Sequence, residues 1–249
     1  GWMFMRRKWK RKHPVRKLFM SLVALLLCTL FAVCAFFGVK GYQMYKRAVE
    51  EQPINERVEE ICNMEGFTPY SALPQFYIAA TISVEDRRFE EHCGIDLIAI
   101  GRAAWTDIRA MSFVEGGSTI TQQLVKNLLF TQDKKIERKA AEIFAALEME
   151  SKYSKEEIFE LYVNTVYFGS GYYGIYQAAI GYFGKVPSEL TDYECAMLAG
   201  IPNAPSAYSP NTNKELALRR VSHVLDSMVR NRIITQEEAD RIERNDANN

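Results

Sequence analysis

Histidine is scarce. The chain has three in 249 residues, His13, His92 and His223, far apart, which excludes a metal centre built from imidazoles. None of the five cysteines stands in Cys-x-x-Cys spacing. Cys28 and Cys34 fall in an apolar run, and Cys62, Cys93 and Cys195 form at most one bridge, so neither a zinc ribbon nor a disulfide framework is present. No stretch alternates apolar and polar residues as a half-buried strand does, and no segment repeats, which excludes a sheet-built fold and a solenoid. Acidic residues are missing from residues 1–17, where eight Lys or Arg occur. Without those eight, 23 basic residues face 31 acidic ones, a net −8 from Leu18 onward that the formal charge of zero conceals. So acidic a body excludes nucleic acid as the main partner.

What is present begins with Leu18 to Val39, 22 residues without a charge. At about 1.5 Å per helical residue this run crosses a hydrocarbon layer of roughly 30 Å. It outlasts the apolar region of a cleaved signal peptide, and Val33 before Cys34 is too large for a lipoprotein signal. The basic block before it predicts a cytoplasmic N-terminus with the remainder outside, a single-pass topology in a plasma (inner) membrane. The expected organisation is a basic tail (1–17), a transmembrane helix (18–39), a juxtamembrane stalk with little fixed structure (40–55) and a globular domain (56–249). Its 48% hydrophobic content is ample for one core.

Beyond Pro74 the spacing is helical throughout. Apolar residues recur at three and four in Phe76–Val84, Ile95–Met111, Thr119–Phe130, Lys134–Tyr153 and Ser154–Val166, then in Tyr173–Phe183, Asp192–Ala199, Lys214–Ile233 and Gln236–Arg244. Ile136, Ala140, Ile143, Leu147 and Glu150 share one stripe of the fourth, and Ser154 with Glu157 forms a capping box. The fold class expected is all-α on a membrane stem.

Four stretches carry chemistry. Glu85 ends an apolar helix before the polar cluster Asp86 to His92. Partial desolvation there raises a carboxylate toward the range of a general base, although a solvated helix end is the plainer reading of this stretch alone. Gly116-Gly117-Ser118-Thr119-Ile120-Thr121-Gln122-Gln123 places backbone N–H groups and hydroxyls before a helix start, an anion-binding design whose plainer counterpart is an N-cap. Lys126, Lys134, Arg138 and Lys139 follow, enough cations to surround a diphosphate. Glu142 reads alone as an i,i+4 partner of Arg138, and with Glu85 as the second carboxylate of a catalytic pair. Among the aromatic and small residues of 162–185, Phe168, Ala178, Ala179 and Phe183 read as core, whereas Tyr162 and Asn164 are candidate sugar or phosphate ligands. Leu198 to Ser206 reads as a structural wall.

In order and spacing these residues resemble the motifs of the peptidoglycan glycosyltransferases, glycosyltransferase family 51. Glu85-Asp86-Arg87-Arg88-Phe89-Glu90-Glu91-His92-Cys93-Gly94 is similar to the first motif, Gly116 to Gln123 to the second and Arg138-Lys139-Ala140-Ala141-Glu142 to the third. Tyr162 to Lys185 and Leu190 to Pro210 supply the rest, and the resemblance covers residues 56 to 233. It implies a lysozyme-like fold with a large lobe and a smaller, membrane-hugging lobe. The implied activity is polymerisation of lipid II, undecaprenyl-diphosphate-linked GlcNAc-MurNAc-pentapeptide, into β-1,4 glycan. By the resemblance Glu85 is the base on the acceptor's 4-hydroxyl, with inversion at the donor's anomeric carbon. Glu142, Lys139, Arg138, Lys126 and Ser118 hold the departing diphosphate. Asp86, Thr119, Gln122, Gln123, Lys134, Tyr162 and Asn164 complete the substrate-binding set. No covalent cofactor is implied, and a divalent cation, Mg2+ or Mn2+, is admitted at the diphosphate. The implied partners are lipid II, the growing glycan strand, the bilayer and other cell-wall synthesis proteins of a bacterium. The family occurs alone and as a domain of class A penicillin-binding proteins. No Ser-x-x-Lys with Lys-Thr-Gly follows here, so the stand-alone form is expected, while the polar residues 234–249 would equally suit a linker. Two rival readings are a lytic enzyme acting on finished glycan, which has no need of the cation cluster, and a silent scaffold, which has no need of Glu85 and Glu142.

Overall fold

The computed structural model describes residues 14–110, 116–130 and 136–246. Among these residues the fold is helical, and an isolated antiparallel bridge, Tyr167 to Tyr173, is its one piece of β pairing. Helix α1 (Pro14–Glu51) contains the apolar run, whose side chains face outward without protein cover. The helices that follow are α2 (Ile54–Cys62), α3 (Gln75–Glu85), α4 (Leu97–Ala110), α5 (Ile120–Leu129), α6 (Ile136–Lys152) and α7 (Lys155–Thr165). Next come α8 (Ile175–Phe183), α9 (Asp192–Gly200), α10 (Pro205–Tyr208), α11 (Lys214–Arg230) and α12 (Gln236–Asp246).

Capping chemistry fixes several starts. Ser154 and Glu157 form the expected capping box of α7, and Thr119 with Gln122 and Thr191 with Glu194 do the same for α5 and α9. The core is made where α3, α9 and α11 pack together and where α7 backs onto α5. Phe159 of α7 lies at its centre, with Tyr70, Phe89, Tyr77 and Tyr162 at ring-centroid distances of 5.9–6.5 Å. Phe168, Ala178 and Ala179 are fully buried, as their spacing predicts.

The segment 40–55 differs from the flexible stalk expected. Helix α1 continues without a break to Glu51, and α2 starts at Ile54. The reason is tertiary: the end of α1 lies along α6. Gly41 meets Ala140 so closely that a Cβ would come within 2.9 Å of the backbone of Ala140 and Ala141. Tyr42 packs edge-on against Phe144 at 5.3 Å, and the Tyr45 hydroxyl donates to Glu148. Because these contacts ascend together in both helices, α1 and α6 run in the same direction. The start of α6 therefore lies level with the end of the uncharged run.

This docking also displaces the expected stripe of α6. Its buried residues are Ala141, Glu142, Ala145, Ala146 and Met149, whereas Ile136 and Leu147 are exposed. Two partners divide the helix, α1 taking Ala140, Phe144 and Glu148 while α5 and the core take the neighbouring face.

Candidate active site

Glu85 is the last residue of α3, and its side chain is only 6% exposed. Gln123 Nε2 donates to Glu85 Oε2 at 2.9 Å. Oε1 has no hydrogen bond and faces the Arg220 guanidinium at 3.7 Å. Burial pushes the Glu85 carboxyl above the ordinary carboxylate range, opposed by the Gln123 hydrogen bond and the charge of Arg220. An oxygen that is buried, basic and unbonded is equipped to accept a proton.

One turn along α5 from Gln123, the half-buried Lys126 forms no hydrogen bond or ion pair with a described residue. Burial lowers its pKa, and the charges of Glu142 and Glu85 oppose that shift from either side. Glu142, 1% exposed on α6, has Arg138 Nε 3.1 Å from Oε1 and Lys139 Nζ 2.9 Å from Oε2. Lys139 Nζ also donates to Ser118 Oγ at 2.6 Å. The structure thus gathers Glu85, Gln123, Lys126, Glu142, Arg138, Lys139 and Ser118 from three helix ends. A buried carboxylate with two cations on it holds those cations in place for an anion that approaches from the open side.

Other residues singled out in the sequence are framework. Asp86 Oδ2 accepts from the Ile120 backbone N–H at 2.9 Å and lies 2.9 Å from His92 Nε2. The Gly94 N–H donates to His92 Nδ1 at 3.1 Å, so Nδ1 is unprotonated and Nε2–H is the donor to Asp86. Asp86 thereby clips the first motif to the start of α5 and sets the Glu85–Gln123 geometry. Thr119 Oγ1 donates to Gly94 O at 2.7 Å while it caps α5, and Gln122 closes the same box. Asn164 spends its amide on Thr68 N, Thr68 O and Glu160 O, each at 2.8 Å, and faces no open space. Tyr162 is fully buried, its hydroxyl 3.5 Å from Gln123 Oε1, where it backs the residue that touches Glu85. Lys134 lies outside the described residues.

Arg220 escaped the sequence reading. Its Nε donates to Gly200 O at 3.0 Å, and its guanidinium stacks 5.2 Å from the Tyr208 ring centroid, which aims it at Glu85. The signal was available: Arg220 shares the face of Ala217, Val221 and Val224, and a cation on a buried stripe needs a buried partner.

No group of three His, Cys, Asp or Glu side chains comes together among the described residues. Both Glu142 oxygens face cations. The described residues therefore form no all-protein site for Mg2+ or Mn2+.

The arrangement joins a desolvated base to an anion cradle, and residues 52–229 match the family model described as transglycosylase. The chain belongs to the transglycosylase family. Its fold is accordingly of the lysozyme-like helical type shared by the peptidoglycan glycosyltransferases. Among the relatives of this chain, penicillin-binding protein 1F of Bacillus subtilis is 38% identical over 92% of this chain and 34% of its own length. Penicillin-binding protein 1A of Aquifex aeolicus is 46% identical over 67% of this chain and 23% of its own. Penicillin-binding protein 2D of B. subtilis is 42% identical over 71% and 26%. The chain spans about a quarter to a third of the length of these curated relatives.

Proposed function

We propose that this transglycosylase polymerises lipid II into β-1,4 glycan strands for the bacterial cell wall. The observation that carries the reading is the pairing of a buried, unbonded Glu85 oxygen with the Lys126, Arg138 and Lys139 cradle. That pairing lies level with the end of the membrane span, where a lipid-linked diphosphate would present its charge. Glu85 Oε1 accepts the proton of the acceptor sugar's 4-hydroxyl, and the freed oxygen forms a bond to the donor's anomeric carbon. The bond from that carbon to the diphosphate breaks with inversion, and its electron pair leaves on the diphosphate. Lys126, Arg138 and Lys139 neutralise the charge that develops there, the term that most favours departure. Gln123 and Arg220 orient Glu85 throughout.

In this reading α1 confines enzyme and substrate to one surface. The basic residues before the span keep the N-terminus cytoplasmic and put the catalytic domain on the external or periplasmic face. The growing strand and other cell-wall synthesis proteins are the remaining partners.

The test is polymerisation of labelled lipid II by the full chain in detergent, beside Glu85→Gln and Lys126→Ala, with finished glycan as a parallel substrate. Long glycan from the wild type and at least about a hundredfold less from either variant supports the proposal. Shortening of finished glycan with lipid II untouched would replace it with a hydrolase.

A further inference from the structure

Helix α1 and the start of α6 enclose a second feature, a cleft of ≈ 480 Å³. Its walls include Lys40, Met44 and Arg47 from α1, Phe130 after α5, and Glu137 and Arg138 from the start of α6. Lys40 is the first charge after the span, its ammonium 5.9 Å from the Phe36 ring centroid. Arg47 lies about 10 Å further along the helix. The two cations therefore bracket the polar headgroup layer, roughly 5–8 Å deep on each side of a bilayer. Both are exposed, and neither forms an ion pair with a described residue, although Glu51 stands one turn beyond Arg47.

We propose that this cleft binds an anionic glycerophospholipid of the leaflet in which α1 ends. Lys40 and Arg47 pair with its phosphodiester, Gln43 donates to the headgroup, and Met44, Leu129 and Phe130 receive the first methylenes of its chains. The chemistry selects a single negative charge. Lys40, Arg47 and Arg138 line the cleft together with Glu51 and Glu137, and this balance of three cations against two carboxylates suits one negative charge better than a diphosphate. A phospholipid seated here would wedge α1 against α6 and so brace the helix that bears Arg138, Lys139 and Glu142. The cleft shares Arg138 with the catalytic cradle but involves neither Glu85 nor Lys126. Because lipid binding needs no turnover and Lys40 and Arg47 stand outside the cradle, failure of this proposal and failure of the polymerase reading are distinguishable.

The experiment is native mass spectrometry of the full chain in detergent, titrated with phosphatidylglycerol or phosphatidylcholine. Two cations at the membrane surface predict about a thirtyfold preference for phosphatidylglycerol. The double variant Lys40→Gln, Arg47→Gln should bring the two lipids within about threefold at an unchanged melting temperature. The charge-keeping pair Lys40→Arg, Arg47→Lys should retain the preference, which separates lost charge from lost fold. Equal binding of both lipids by the wild type, or an intact preference in the Gln variant, overturns the proposal. So does one-for-one displacement of bound phosphatidylglycerol by undecaprenyl diphosphate, which would give the cleft to the polyprenyl substrate.

Discussion

Replacing Arg220 by Met removes the cation that faces the unbonded oxygen of Glu85 while keeping most of the side chain's volume. At about 4 Å and an effective dielectric of about 20, the attraction between two such charges is about 4 kcal/mol. Water entering the vacated polar space recovers part of it, and taking half as lost leaves about 2 kcal/mol against the ionised carboxylate. That is about a thirtyfold smaller ionised fraction wherever the pH lies below the raised Glu85 value. Only the ionised form accepts a proton. The acid limb of kcat/KM for lipid II polymerisation should therefore move to higher pH, and along that limb kcat/KM should fall about thirtyfold. Activity should recover toward wild type in alkaline buffer. Arg220→Lys keeps the charge but loses the planar stack on Tyr208, so it should lie between the two. An acid limb that stays in place while kcat falls uniformly across the pH range would refute the electrostatic link and leave Arg220 a packing residue.

Glu85→Gln should abolish polymerisation yet raise the melting temperature at neutral pH. A carboxyl whose pKa rises on folding is penalised only in its ionised form, so the gain should be full above the raised value and vanish near about pH 4, where the wild type is protonated too. A melting-temperature gain that did not change with pH would contradict the burial cause. Asn164→Ala leaves the backbone N–H and C=O of Thr68 unpaired, and denaturant unfolding should show a loss of about 2–4 kcal/mol with activity per folded molecule preserved. A fall in kcat/KM without lost stability would make Asn164 a ligand instead. Gly41→Leu should push α1 off α6 and lower polymerisation of bilayer-embedded lipid II more than that of a detergent-soluble, short-chain analogue. Equal loss on both substrates would remove the link between this helix contact and the height of the site.

The membrane run, the all-helical class and the capping box at Ser154 could be read from the sequence, because charge absence, periodicity and caps are local properties of a dozen or so residues. The same holds for the order of the motifs and for Glu85 at the end of an apolar helix. Local spacing could not say which of the polar residues in those motifs face open space. Asp86, Thr119 and Asn164 differ from Glu85, Gln123 and Lys126 only in what lies across from them: Ile120 N–H and His92, Gly94 O, and Thr68. Arg220 reaches Glu85 from a helix far along the chain, and the segment after the span is helical because α6 offers Ala140 and Phe144 to Gly41 and Tyr42. Sequence alone thus determined most of the helices beyond Pro74 and the inventory of charges. The tertiary structure decided which charges are desolvated and which are bonded away, because burial and pairing depend on residues brought together only by packing.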